Sequence, residues 1–193
     1  MKKKQKLTRL VLCALFAALI VVLTFTPLGY IIIGPGIAIT TIHLVTILGA
    51  SILGIKEGAF LGAFWGILCV IKAFQEPIPA NIPFQNPMIS VVPRIFVGIV
   101  TALVITALFK TKIKKPLAVG IGAFAGTLTN TVLVITALNV FNGFESITLG
   151  VTTTLNTIIT TLIGVNGIIE VVAAVILVPA IYTATEKSLK NKI

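Results

Sequence analysis

The sequence predicts an all-α integral membrane protein: a single domain over residues 1–193, built as a bundle of six transmembrane helices with the N and C termini cytoplasmic. Three observations carry that prediction. Apolar residues make up 57% of the chain, charged residues only 10%, and mean hydropathy is +1.13, far from soluble usage. Thirteen of the fifteen Lys and Arg residues fall in four places, at residues 2–9, at Lys56, at residues 110–115 and at residues 187–192. Long apolar stretches separate these clusters. A cytoplasmic excess of Lys and Arg orients membrane helices, so two crossings between neighbouring clusters put all four on one side. Lys72 and Arg94 are left on the other. Lipid cannot satisfy backbone polar groups, which favours continuous helices. A β-barrel would show alternating segments, and runs such as Leu10–Ala18 do not alternate.

The elements follow in order. Helix 1 is expected at about residues 7–26, ended by Pro27. Its basic start and apolar run resemble a secretory signal, but no small-residue cleavage site follows, and it reads as a retained helix. The Gly/Pro-interrupted stretch from Pro27 through Gly36 is expected to be irregular. Helix 2 covers about 39–53 and helix 3 about 58–74. In helix 3, Gly58, Gly62 and Gly66 recur every four residues, which lets a neighbouring helix approach closely. The second outer loop, Gln75–Met88, holds four prolines and is stiff. Helix 4 covers about 89–109, with Pro93-Arg94 near its outer start. Helix 5 covers about 116–138 and helix 6 about 164–186. Between them lies a Thr-rich outer stretch, with room for a short membrane-dipping helix. No strong internal repeat is visible.

Several functions are excluded. The net charge of +10 does not point to nucleic acid, because the cations flank apolar spans, where orientation and anionic lipid explain them. Cys13 and Cys69 lie in apolar segments and read as packing thiols. No G-x-x-x-x-G-K-[ST] loop, no metal-ligand spacing and no nucleophile–base pair is present, so neither a metal nor another cofactor is expected. Of the five acids, only Glu170 lies deep in a helix, too few for a proton relay. Uphill movement would draw its energy from a partner.

Ionisable and polar residues at membrane depth are functional candidates by default. Arg94 is suited to hold a carboxylate bidentately; it also suits a lipid phosphate, or an ion pair with Glu170 or Glu76. Lys72 reads as a snorkelling residue. Asn130 is either interhelical glue or an amide partner for a ligand. Asn166 and Glu170, four apart, share one face of helix 6, where Glu170 is expected to pair internally. His43 reads as a hydrogen-bonded packing residue, with ligation as the alternative.

Helix 1 contains Cys13-Ala14-Leu15-Phe16-Ala17-Ala18, with the small pair Ala14-x-x-x-Ala18. With the basic N-terminus, six short helices and the turn Thr26-Pro27-Leu28-Gly29-Tyr30, this resembles the substrate-binding S component of energy-coupling-factor (ECF) vitamin transporters. Three stretches resemble the pantothenate-type branch: Asn86-Pro87-Met88-Ile89-Ser90, Val92-Pro93-Arg94-Ile95-Phe96-Val97-Gly98 and Asn166-Gly167-Ile168-Ile169-Glu170. The resemblance covers nearly the whole chain. It implies a binding subunit of the bacterial plasma membrane, not an enzyme. Such a subunit captures a vitamin from outside and docks helix 1, here through Ala14 and Ala18, onto a transmembrane coupling subunit driven by two ABC ATPases. It implies a pocket near the outer face holding Tyr30, Arg94, Asn130 and Asn166, with Asn86 and Glu170 completing the candidate set. An Arg and two Asn suit pantothenate, with its carboxylate, hydroxyls and amide; other small acidic vitamins also fit, and aromatic stackers are expected to be few. Two readings from other classes stand beside this one: a self-standing channel or ion-coupled permease, and a membrane-embedded enzyme using Glu170 and His43.

Overall fold

The computed structural model describes residues 2–34, 37–77, 81–141 and 166–189. Six α-helices lie among them: α1 (Lys2–Thr24), α2 (Ile42–Leu53), α3 (Ile55–Gln75), α4 (Pro87–Leu108), α5 (Lys115–Val140) and α6 (Gly167–Leu189). Most of the Thr-rich stretch between α5 and α6, where a dipping helix was expected, lies outside the described residues.

Five of the helices are long and apolar enough to cross a membrane, and the protein is a multi-pass helical membrane protein. The exception is α2. Its 12 residues extend about 18 Å, short of a hydrocarbon core of about 30 Å. The residues before it are not irregular, as the glycines and proline suggested, but form an antiparallel hairpin of β1 (Tyr30–Gly34) and β2 (Ile37–Thr40). The isoleucines on either side of Gly34-Pro35-Gly36 are β-branched and suit extended backbone. The pairing of Tyr30 with Thr40 closes the hairpin.

Local sequence sets the helix ends. Gly54 alone joins α2 to α3, and its φ of 96° is a left-handed conformation that favours glycine. Asn86 caps α4: its side chain accepts from the Met88 N–H at 2.9 Å, and Pro87 opens the helix where a missing N–H does no harm. At the start of α1, Arg9 donates to the Leu53 carbonyl and pairs with Glu57 at 3.2 Å.

The expected glycine seam is present between α3 and α4. A Cβ on Gly62 would stand 2.0 Å from the Arg94 carbonyl oxygen, and one on Gly98 2.0 Å from that of Gly58. The two helices therefore meet backbone to backbone. On α5 the glycines instead make room for side chains of α4, Gly122 for Ile105 and Gly126 for Thr101. Ile47, Val97, Ile105, Val119 and Val178 form one core cluster; Ile20, Ile42, Leu61 and Trp65 form another. Both cysteines are free and pack in the second. Leu10, Phe60, Leu103, Leu117 and Ile176 face outward, as expected of a surface solvated by acyl chains. On α1, Phe16, Ala17 and Ile20 face the bundle, whereas Ala14 and Ala18 are exposed.

The helix pairings place Arg9, Lys56 and the Lys110–Lys115 turn toward one end. Gly58 meets Gly98, Gly122 meets Ile105, and Lys115 pairs with Glu186. The ends of α1 and α3, the start of α4 and the hairpin gather at the other.

Candidate ligand-binding site

At the end away from the basic clusters is a cavity of about 680 Å³. The turn after α1 supplies Phe25, Thr26 and Pro27; the hairpin supplies Tyr30 and Thr40. α3 contributes Trp65, Cys69, Lys72 and Glu76, a stripe at helical spacing. Asn81, Phe84, Arg94 and Asn130 complete the polar and aromatic wall.

Arg94 sets the character of the site. It is only 7% exposed, and its guanidinium lies 5.3 Å from the Trp65 ring centre and 5.4 Å from that of Phe84. One terminal nitrogen donates to the Ile89 carbonyl at 2.6 Å. No carboxylate pairs with it among the described residues; Glu76 and Glu170 are engaged elsewhere. Neither snorkelling nor the alternative ion pair with Glu76 or Glu170 describes it. The rings contribute cation–π attraction, worth about 2 kcal/mol where desolvated, but leave Nε free. Four buried groups at this cavity lack a hydrogen-bond partner among the described residues: Thr26 Oγ1, Arg94 Nε, Trp65 Nε1 and Asn130 Oδ1. Buried polar groups are normally satisfied. Two donors, a hydroxyl and an amide facing one cavity suit a guest with a carboxylate and an amide or hydroxyl.

Lys72 does not snorkel to a lipid surface. Its ammonium donates to the Thr24 carbonyl at 3.0 Å, lies 4.9 Å above the Tyr30 ring and stands 3.9 Å from Glu76. It thereby ties α3 to the end of α1 and to the hairpin. Burial raises the Tyr30 phenol above the ordinary tyrosine range, and its hydroxyl, beside the Cys69 thiol, stays neutral.

Three expected residues, Tyr30, Arg94 and Asn130, are thus brought together. The other three do not line the cavity. Asn86 spends its side chain on the α4 cap. Glu170 is buried and accepts the Thr40 N–H at 2.8 Å, fastening α6 to β2. Asn166 is buried one turn earlier, its Oδ1 without a partner among the described residues. His43 is fully buried but lacks the hydrogen bond expected of a packing histidine among those residues. Sequence reasoning missed Trp65 and Phe84, the two rings about the guanidinium. The stripe Trp65, Cys69, Lys72, Glu76 was a readable signal for the first.

A multi-pass helical bundle with a cationic, aromatic-walled cavity at one end is a membrane-embedded small-molecule-binding protein. The family model for the ECF transporter substrate-specific component matches residues 8–182, and the chain belongs to that family. It is 33% identical over 204 residues to the pantothenic acid transporter PanT of Lactococcus lactis subsp. cremoris (strain MG1363), covering 98% of this chain and 99% of that one. It is also 33% identical over 188 residues to the pantothenate transporter PanT of Leuconostoc mesenteroides subsp. mesenteroides, covering 92% and 91%.

Proposed function

We propose that this protein binds pantothenate at the cavity and delivers it, as the vitamin-binding subunit of an ECF importer, to a coupling subunit and two ABC ATPases. The observation that carries the reading is Arg94, buried between Trp65 and Phe84 with no carboxylate partner among the described residues. A lone guanidinium at membrane depth is costly, and an anionic guest is the partner that offsets that cost. Two relatives named for pantothenate, matched over nearly their full length, support the choice of guest. Tyr30 and Asn130 contact the ligand beside Arg94. Asn86 frames the site by capping α4, and Glu170 by fastening the start of α6 to β2.

Both termini are cytoplasmic in this reading and the cavity opens outward, because it lies away from the basic residues. The exposed Ala14 and Ala18 on α1 give the coupling subunit a flat surface for close approach. The test is calorimetric titration of purified protein with pantothenate, followed by competition from other vitamins bearing a carboxylate. Saturable one-to-one binding of pantothenate, undisturbed by the competitors, supports the proposal. Preference for another acidic vitamin would reassign the substrate, and no vitamin binding at all would sink the reading.

A further inference from the structure

Arg94 directly follows a proline inside a helix. Pro93 lies within α4 and is buried. In an uninterrupted helix the N–H of residue 93 would donate to the Ile89 carbonyl, four residues earlier. Proline has no N–H, and its ring crowds that same carbonyl. Ile89 is only 1% exposed, so water does not serve its oxygen, and a buried backbone acceptor left without a donor is costly. The donor that serves it is the next side chain. Arg94 Nη1 donates to the Ile89 carbonyl at 2.6 Å. Proline and arginine thus act as a pair, one freeing an acceptor and the other filling it.

The shape of the guanidinium gives this contact a consequence for the cavity. The group is a planar fork of two terminal nitrogens and Nε. It can take a carboxylate end-on through both terminal nitrogens, or side-on through Nε and Nη2. Trp65 and Phe84 hold the cation by their rings, at 5.3 and 5.4 Å. A ring face carries no directional acceptor, so the rings do not choose which edge meets a guest. The Ile89 carbonyl does. It commits Nη1, which belongs to the end-on edge, and leaves the side-on edge, whose Nε is buried without a partner among the described residues. Arg94 itself lines the cavity.

We infer that Pro93 is a positioning residue for the anion: by freeing the Ile89 carbonyl it ties Nη1 of Arg94 back onto α4, so that the carboxylate of the guest is held side-on by Nε and Nη2. The inference rests on the anionic-vitamin reading above and adds the device that orients its cation.

The test is calorimetric titration of the purified full chain with pantothenate, using two replacements of Pro93 that differ by one N–H. Pro93→Ala restores the helical donor, which competes with Arg94 for the Ile89 carbonyl. Lactic acid at the same position, introduced by nonsense suppression, has the side chain of alanine but an ester oxygen in place of the N–H, so the carbonyl stays free. The alanine variant is expected to weaken pantothenate about tenfold, the scale of one lost hydrogen bond. The lactic acid variant should stay within about twofold of the unaltered protein. Thermal midpoints report folding, and Pro93→Ala should not lower its own, since proline is the poorer residue inside a helix. In an Arg94→Ala background the two replacements should bind alike. Equal weakening by both would assign the effect to the ring rather than the carbonyl. Weakening by neither would separate Pro93 from binding, and a difference that persists without the guanidinium would mean that it does not act through Arg94. Each of these overturns the inference while leaving the vitamin assignment intact. Failure of the unaltered protein to bind pantothenate overturns that assignment, and the inference with it.

Discussion

The carbonyl oxygen of Arg94 lies 2.0 Å from the point where a Cβ on Gly62 would stand. No other residue type fits at Gly62 unless α4 moves, and α4 carries the guanidinium that defines the cavity. The glycine seam of α3 and α4 therefore fixes the height and rotation of Arg94 between Trp65, on the same α3 helix, and Phe84.

Gly62→Ala is accordingly expected to act on both stability and binding. Overpacking costs about 1–3 kcal/mol, and the displaced Arg94 should lose pantothenate affinity. Thermal midpoint and calorimetric affinity measured on one sample check this. An alanine variant with wild-type affinity would show that the seam does not position Arg94.

Arg94→Ala should weaken binding of an anionic vitamin by about 1.5–3 kcal/mol, the range for a hydrogen bond to a charged group. Arg94→Lys should recover only part, since an ammonium lacks the planar fork and stacks poorly between the two rings. Titration of the three proteins decides. Unchanged affinity in the alanine variant, with a depressed thermal midpoint, would make the arginine a structural residue.

The orientation of the bundle is open to a labelling experiment. With Cys13 and Cys69 replaced by serine, Ile113→Cys places one thiol in the Lys110–Lys115 turn. A membrane-impermeant maleimide should leave it unmodified in intact cells and modify it once the membrane is permeabilised. Reaction in intact cells would reverse the topology and put the cavity on the cytoplasmic side.

Ala14 and Ala18 are exposed on α1, while Ala17 faces the bundle. Ala14→Trp or Ala18→Trp should therefore abolish vitamin uptake and co-purification with the ATPases while leaving pantothenate affinity within about 0.5 kcal/mol, the usual range for surface changes. Loss of binding in the isolated subunit would instead mean that this face packs internally.

The clusters of cations and the apolar runs made most of the helices readable, because charge is excluded from lipid and backbone is paired there. They were silent on the hairpin: an isoleucine-rich run between glycines looks the same whether it pairs as strands or enters a helix. The start expected for helix 2 at residue 39 consequently gives way to Ile42, where the strand pairing has ended. Arg94 could be picked out as a cation out of place, but its neighbours could not all be. Phe84 comes from a short helical turn at Ile82–Gln85 whose position depends on how α3 and α4 meet. Glu170 was expected to find an internal partner, and it does so in a backbone N–H rather than a cation, a choice no spacing rule reveals.

The two rings about Arg94 soften the isolation of its charge without cancelling it. Among the described residues the cavity thus holds one guanidinium without a counter-charge, which an anionic guest would neutralise. Desolvating a bare ion costs several kcal/mol, far more than desolvating a well-paired one. Were the cavity to move toward the hydrocarbon, that charge would resist the movement more strongly in the empty protein than in one loaded with an anion.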